Sequence, residues 1–173
     1  MSTLKTVAFH TLGCKLNYSE TSTMGRMLED VGFVQVPFDS GADLYVINTC
    51  SVTENADKEC NKLVHQVKKL SPQSKIIVTG CYAQLKPDSV ANISGVDLVL
   101  GAEEKFQLVK YIPRLVDAIN GGETSTHYAD FHNFHTFNAA YSLGDRTRSF
   151  LKIQDGCDYK CTFCTIPQAR GAS

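Results

Sequence analysis

Short, continuous apolar runs alternate with helix-like stretches through the first part of the chain, and this alternation most constrains its fold. Four runs, rich in β-branched residues, lie at positions 7–9, 44–47, 76–78 and 96–100. Continuous runs of this kind are typical of strands buried on both faces of a parallel sheet. A fifth segment, 33–38, predicts a further strand, and Pro37 makes it a candidate for an edge of the sheet.

Helical patterns fill the intervals between these runs. The first has apolar residues at positions 24, 27, 28 and 31, with Asn17 and Glu20 placed to cap its start and Gly32 its end. The second has apolar positions 56, 60, 63, 67 and 70. The third spans 103–119 and is predicted to be kinked or split at Pro113. Strands that alternate with helices predict an α/β fold, an open, mostly parallel sheet with helices on both faces.

The composition of the chain changes after Gly121-Gly122. We therefore assign residues 1–120 to one domain, and we interpret residues 121–149, which lack clear periodicity, as a linker. The run at 150–153 predicts a new strand leading into the last motif, and the sequence stops at Ser173. We expect residues 150–173 to be the truncated beginning of a second domain.

Bulk properties exclude several classes of protein. No apolar run approaches the roughly 20 residues of a membrane span, and the first residues lack the features of a secretory signal peptide. We therefore expect a cytoplasmic protein with no membrane partner. The seven cysteines are odd in number, which in a reducing compartment argues against a disulfide framework. Metal binding, redox chemistry, catalysis or ordinary buried thiols remain.

Three cysteines lie close together near the end of the chain, in residues 157–164 (CDYKCTFC). Thiolates at Cys157, Cys161 and Cys164 can hold three irons of a [4Fe–4S] cluster and leave the fourth iron without a protein ligand. The spacing resembles the signature of the radical-SAM superfamily, which implies that the open iron chelates S-adenosylmethionine. Phe163 stands where that signature has an aromatic residue, and we assign it to cofactor binding. A zinc site is the alternative, but the motif has no fourth ligand.

Three further cysteines share a structural context rather than a spacing. Cys14, Cys50 and Cys81 each follow a predicted strand. Because the turns that follow parallel strands lie along one edge of a sheet, where ligands bind, these thiols are expected to converge there. They could hold a second iron–sulfur cluster, and the alternative is three unrelated buried thiols. Cys60 falls within an apolar helical stripe and is interpreted as a core residue.

Four motifs together resemble the radical-SAM methylthiotransferase family. They are residues 12–17 (LGCKLN), 48–53 (NTCSVT), 79–81 (TGC) and 150–157 (FLKIQDGC). Lys15 and residues 55–60 (NADKEC) are similar to the MtaB-type branch, which modifies threonylcarbamoyladenosine in tRNA.

The resemblance implies a fold, cofactors and roles. Cys157, Cys161 and Cys164 would bind the [4Fe–4S] cluster that cleaves S-adenosylmethionine, at the start of a radical-SAM barrel. The resulting deoxyadenosyl radical would remove hydrogen from C2 of an adenine beside the anticodon. The set Cys14, Cys50 and Cys81 would bind an auxiliary [4Fe–4S] cluster that delivers sulfur. The implied partners of the full-length enzyme are the tRNA anticodon loop, an electron donor protein and a sulfur donor, and the 173 residues alone are expected to be inactive.

Other functions remain open at this point. The substrate could be a ribosomal protein or isopentenyladenosine in tRNA, as in sister branches. The chain could instead be an iron–sulfur redox protein without catalytic activity, or a zinc-stabilised RNA-binding module.

Overall fold

The computed structural model describes residues 4–50, 55–117, 125–127, 136–143 and 147–173, without the side chains of 56, 57, 116, 117 and 127. The strands are β1 (Thr6–Thr11), β2 (Val34–Gln35), β3 (Leu44–Thr49), β4 (Lys75–Gly80), β5 (Leu98–Leu100) and β6 (Ser125–His127). The helices are α1 (Lys15–Glu29), α2 (Ala56–Leu70), α3 (Cys81–Leu85), α4 (Pro87–Ala91), a 3₁₀ helix (Glu104–Gln107), α5 (Leu108–Asp117) and α6 (Ile166–Arg170). No helix in these residues is both long and apolar enough to cross a membrane.

The strands form one sheet in the order β2-β1-β3-β4-β5-β6, and every pair in it is parallel. Each buried strand sends alternate side chains to opposite faces, as the two-residue period of a strand requires. On one face, Ala8, Tyr45 and Ile76 pack with α2 and α4. On the other, Val46 and Ile77 pack with α1 and α5. The predicted α/β architecture, with helices on both faces of an open parallel sheet, is confirmed.

The helical stripes are confirmed in their centres and differ at their ends. Met24 and Leu28 are fully buried, whereas Val31 is exposed because α1 ends two residues earlier. Cys60 is fully buried in the same cluster as the apolar residues of α2, as expected of a core residue. The third pattern is divided at the junction of the 3₁₀ helix with α5, and Pro113 lies inside α5.

The edge position of the segment 33–38 is confirmed, because β2 is the outermost strand beside β1. At the opposite side of the sheet, residues 125–127 of the predicted linker form β6 and pair with β5. The sequence of this segment has no clear periodicity, and β6 forms because the edge of β5 can be joined by a short segment without any periodic pattern of its own.

The strand predicted at 150–153 is wrong as stated. Leu151 makes a single antiparallel bridge with Tyr141, and the neighbouring backbone bonds run from Lys152 N to Ala140 O (2.8 Å) and from Ser142 N to Phe150 O (2.9 Å). In an apolar core strand the apolar side chains are buried and the polar ones are exposed, and this run shows the reverse. Lys152 is buried, whereas Leu151 and Ile153 are 68% and 84% exposed.

Candidate metal centre

Three of the predicted ligands lie beyond the ends of three adjacent parallel strands. Strands β1, β3 and β4 are neighbours in the sheet, with Thr11 opposite Asn48 and Thr49 opposite Gly80. Cys50 and Cys81 follow their strands directly, and Cys14 follows β1 after a short turn. The structure therefore places Cys14, Cys50 and Cys81 along one edge of the sheet, as the strand pattern predicts.

A close backbone approach holds the first two of these cysteines together. Gly13 has φ +92°, and a Cβ atom at this position would stand 2.6 Å from Cys50 Sγ. The thiol of Cys50 therefore packs against the turn that carries Cys14. Only glycine combines this backbone conformation with so close an approach.

Hydrogen bonds of Asn17 and Thr49 join the three turns. Asn17 Nδ2 donates to Leu12 O (2.9 Å) and to Thr49 O (3.0 Å), so it connects the turns of Cys14 and Cys50. The Thr49 hydroxyl donates to Thr79 O (2.5 Å), two residues before Cys81. All of these side chains are buried. The turns are thus a connected unit rather than three independent loops.

The donor set fits an iron–sulfur cluster. Cys14 is exposed, Cys50 half-buried and Cys81 buried, so the row of thiols runs from solvent into the protein. Within the described residues no three His, Cys, Asp or Glu side chains are gathered closely enough to hold one metal ion. Ligands of a [4Fe–4S] cluster bind different irons and stand farther apart than ligands of a single ion. Thiolates spaced along an edge suit the cluster chemically, because soft sulfur ligands select iron–sulfur centres.

The second cysteine set lies on a loop anchored by its own backbone. Cys157 N donates to Gly171 O (3.0 Å), and Cys164 N donates to Cys161 O (3.1 Å). Gly156 has φ +66°, and a Cβ there would stand 2.1 Å from Ala172 O. The loop is therefore closed on the residues that follow α6. Cys161 is exposed and the other two thiols are half-buried, and the Phe163 side chain is 88% exposed.

The two cysteine sets adjoin the same edge of the sheet. Helix α6 begins two residues after Cys164 and packs against α3, which begins at Cys81. Arg170 is the last residue of α6. Burial raises the pKa of Cys81, and the charges of Arg170 and Lys105, with a hydrogen bond from Arg170, oppose that rise.

A buried acidic side chain on α1 gathers three cations from distant parts of the chain. Glu20 Oε2 accepts from Lys105 Nζ (2.5 Å), and Glu20 Oε1 accepts from Lys152 Nζ (3.1 Å) and Arg170 Nη1 (3.0 Å). Asp155 also pairs with Lys152 and Arg170. Burial by itself would raise the pKa of Glu20, but the three cations outweigh it and hold that pKa far below its usual range.

The sequence pattern predicts Asn17 and Glu20 as capping residues, and both predictions are wrong. Helix α1 begins at Lys15 with no side-chain cap, and both side chains turn inward to the networks described above. One signal was present in the sequence: Glu20 precedes Met24 and Leu28 by one and two helical turns, so it lies on the buried stripe. Lys152, in the middle of an apolar run, carried a similar signal.

Substituting Gly13 tests the contact between the first two turns. We expect Gly13→Ala to lower the free energy of unfolding by about 2–5 kcal/mol, which combines about 1–2 kcal/mol of backbone strain with about 1–3 kcal/mol of overpacking against Cys50. Gly32→Ala is the matched control, because Gly32 has φ +95° and nothing within 4 Å of its Cβ position. It should lose the strain component alone. Equal losses in chemical denaturation would contradict the close contact.

Comparisons with known proteins identify similar sequences. Residues 6–101 match the model of a family described as "Uncharacterized protein family UPF0004". The chain is 40% identical over 171 residues to "Threonylcarbamoyladenosine tRNA methylthiotransferase MtaB" of Bacillus subtilis, covering 97% of this chain and 37% of that protein. It is 39% identical to the protein of the same name from Thermotoga maritima, with the same coverage of both.

A relative from another branch is also similar. The chain is 34% identical over 171 residues to "Ribosomal protein uS12 methylthiotransferase RimO" of Lachnoclostridium phytofermentans, covering 95% of this chain and 38% of that protein. The chain thus spans well under half the length of the curated relatives that it matches.

Proposed function

The chain belongs to the family described as UPF0004, and from this membership and its similarity to methylthiotransferases we propose that it functions in the methylthiolation of tRNA. The substrate would be threonylcarbamoyladenosine beside the anticodon. Relatives whose names specify this nucleoside are 36–40% identical to the chain, above the 34% of the ribosomal-protein relative. Bases of an anticodon loop can be splayed out and recognised singly, which makes such a base an accessible target.

One observation carries the proposal. Cys14, Cys50 and Cys81 stand along one edge of a parallel sheet, after three neighbouring strands, although they are far apart in sequence. Isolated core thiols would have no reason to occupy equivalent positions at the ligand-binding edge of the sheet. The three side chains would hold an auxiliary [4Fe–4S] cluster through their thiolates.

The second cysteine set would hold a separate cluster. Cys157, Cys161 and Cys164 supply three thiolates and leave one iron of a [4Fe–4S] cluster open for S-adenosylmethionine. Phe163, with its exposed ring, would contact that cofactor. When bound, the clusters and S-adenosylmethionine supply the radical chemistry, the sulfur and the methyl group. The chain itself orients the thiolates through Asn17, Thr49 and the loop closure at Gly156.

The roles of other molecules follow from this chemistry. Reductive cleavage of S-adenosylmethionine consumes an electron, which an electron donor protein would provide. Repeated insertion of sulfur consumes the sulfur source, so a sulfur donor would restore it. Both partners could reach this site without a rearrangement of the sheet edge, because the thiol of Cys14 is exposed and leaves the row of cysteines open to solvent at one end.

Nucleoside analysis tests the proposed substrate. In cells that lack the gene, tRNA digests examined by mass spectrometry should lose 2-methylthio-threonylcarbamoyladenosine and accumulate the unmodified threonylcarbamoyl nucleoside. The wild-type gene should restore the modification, and the Cys157→Ala, Cys161→Ala, Cys164→Ala variant should not. Retention of that nucleoside with loss of methylthio-isopentenyladenosine, or of the modification on ribosomal protein uS12, would assign the chain to another substrate.

A further inference from the structure

We propose that Arg170 is a positioning residue for the cluster bound by Cys14, Cys50 and Cys81. This inference rests on the proposed function and adds a residue to it. Arg170 belongs to the segment that carries the other cysteine set, yet its guanidinium reaches the edge of the sheet. The cation that orients the auxiliary site is therefore supplied from outside the sheet domain.

The guanidinium of Arg170 is buried, and both of its Nη atoms donate hydrogen bonds. Nη2 donates to Asn17 Oδ1 (2.6 Å) and Glu20 Oε2 (3.2 Å), and Nη1 donates to Glu20 Oε1 (3.0 Å) and Asp155 Oδ1 (2.8 Å). Paired contacts with a carboxylate fix the plane of a guanidinium in a way that a lysine ammonium cannot reproduce. Arg170 therefore has one defined orientation at this site.

Asn17 extends the influence of Arg170 to two of the three turns. Its Oδ1 accepts from Arg170, which directs its Nδ2 toward the carbonyls of Leu12 and Thr49. Those carbonyls belong to the turns of Cys14 and Cys50. A change at position 170 would thus release the amide that holds these turns together.

The third turn adjoins the helix that carries Arg170. Helix α6, which ends at Arg170, packs against α3, which begins at Cys81. Hydrogen bonds and positive charge at a ligating sulfur stabilise the more negative, reduced state of an iron–sulfur cluster. Arg170 would therefore raise the reduction potential of the auxiliary cluster as well as retain its iron.

The test isolates the auxiliary cluster in the full-length protein. Cys157, Cys161 and Cys164 are replaced by alanine, so that the remaining iron–sulfur signal comes from the sheet edge. Redox titration followed by electron paramagnetic resonance gives the potential, and iron release to a chelator gives the retention. Arg170→Gln should lower the reduction equilibrium constant about tenfold, which is 59 mV for one electron. Iron release should be about tenfold faster.

Two further variants keep the test decisive. Arg170→Lys retains the positive charge but loses the paired hydrogen bonds of the guanidinium. Its reduction potential should therefore stay close to that of the parent, and it should still release iron faster than the parent. Arg26→Gln is the matched control, because Arg26 also links α1 to a later segment through Tyr141 O (2.6 Å) but contacts none of the cysteine turns. It should change neither quantity.

The outcomes separate the two proposals. Absence of iron in the parent with Arg170 intact would remove the auxiliary cluster itself, and the role of Arg170 with it. Iron present in the parent, with unchanged potential and release in Arg170→Gln, would overturn the positioning role alone. An equal shift in Arg26→Gln would also overturn it, because the effect would then come from the docking of the later segments. If Arg170→Gln fails to fold, parental iron release in Arg170→Lys is the overturning result.

Discussion

Replacing Cys14, Cys50 and Cys81 together by alanine should abolish methylthio insertion and leave reductive cleavage of S-adenosylmethionine measurable. The reason is that the two cysteine sets, on different segments of the chain, would have different roles: the first in sulfur insertion and the second in the cleavage of S-adenosylmethionine. The complementary replacement of Cys157, Cys161 and Cys164 should abolish that cleavage, because no site would remain to bind the cofactor. Each triple variant should lose about half of the iron, since each set would hold one cluster of the same type.

The assay for this prediction combines iron quantitation with detection of 5′-deoxyadenosine and of the methylthiolated nucleoside. Cys60→Ala is the matched control, because Cys60 is a cysteine fully buried in the core under α2. It should lower stability slightly and keep the full iron content. If the Cys14, Cys50, Cys81 variant kept all of its iron and still modified tRNA, those thiols would be ordinary side chains and the proposed mechanism would be wrong.

The largest effect on stability is expected at Glu20. Glu20→Gln keeps the size of the side chain but leaves Lys105, Lys152 and Arg170 around a neutral group, with Asp155 as the remaining acidic partner. Breaking a buried ion cluster in this way typically costs about 3–5 kcal/mol. Deprotonation of Lys105, whose pKa burial already lowers, would limit the loss.

Chemical denaturation at several pH values checks this prediction. Because the folded-state pKa of Glu20 lies below its unfolded value, its contribution is complete above the ordinary glutamate pKa of about 4.3. It declines as the pH falls from there through the folded-state pKa. Glu29→Gln, an exposed position on the same helix, should stay within about 0.5 kcal/mol of the wild type. If Glu20→Gln lost no more unfolding free energy than Glu29→Gln, the stabilising role of the ion cluster around Glu20 would be contradicted.

The ion cluster around Glu20 also explains how the sheet and the later segment are joined. Glu20 lies on α1, whereas Lys152 and Arg170 lie 132 and 150 residues further along the chain. One carboxylate therefore fixes the segment of the second cysteine set against the helix that follows Cys14. The distance between the two cysteine sets is therefore set by these contacts in the folded protein.

The sequence by itself determined the sheet and the place of the first three thiols. Continuous apolar runs specify buried parallel strands, and a residue directly after such a strand must lie at the carboxyl edge of the sheet. Cys14, Cys50 and Cys81 were therefore predictable from local patterns alone. The core position of Cys60 followed in the same way from the helical period.

Only the tertiary structure decided the networks that hold these thiols. The inward turn of Asn17 and the pairing of Glu20 with its three cations join residues up to 153 positions apart. β6 likewise exists because β5 offers a free edge, not because its own residues form a pattern. Local sequence patterns encode which face of an element is buried. Which charges meet in the interior depends on how distant elements pack, and that information lies in no single segment.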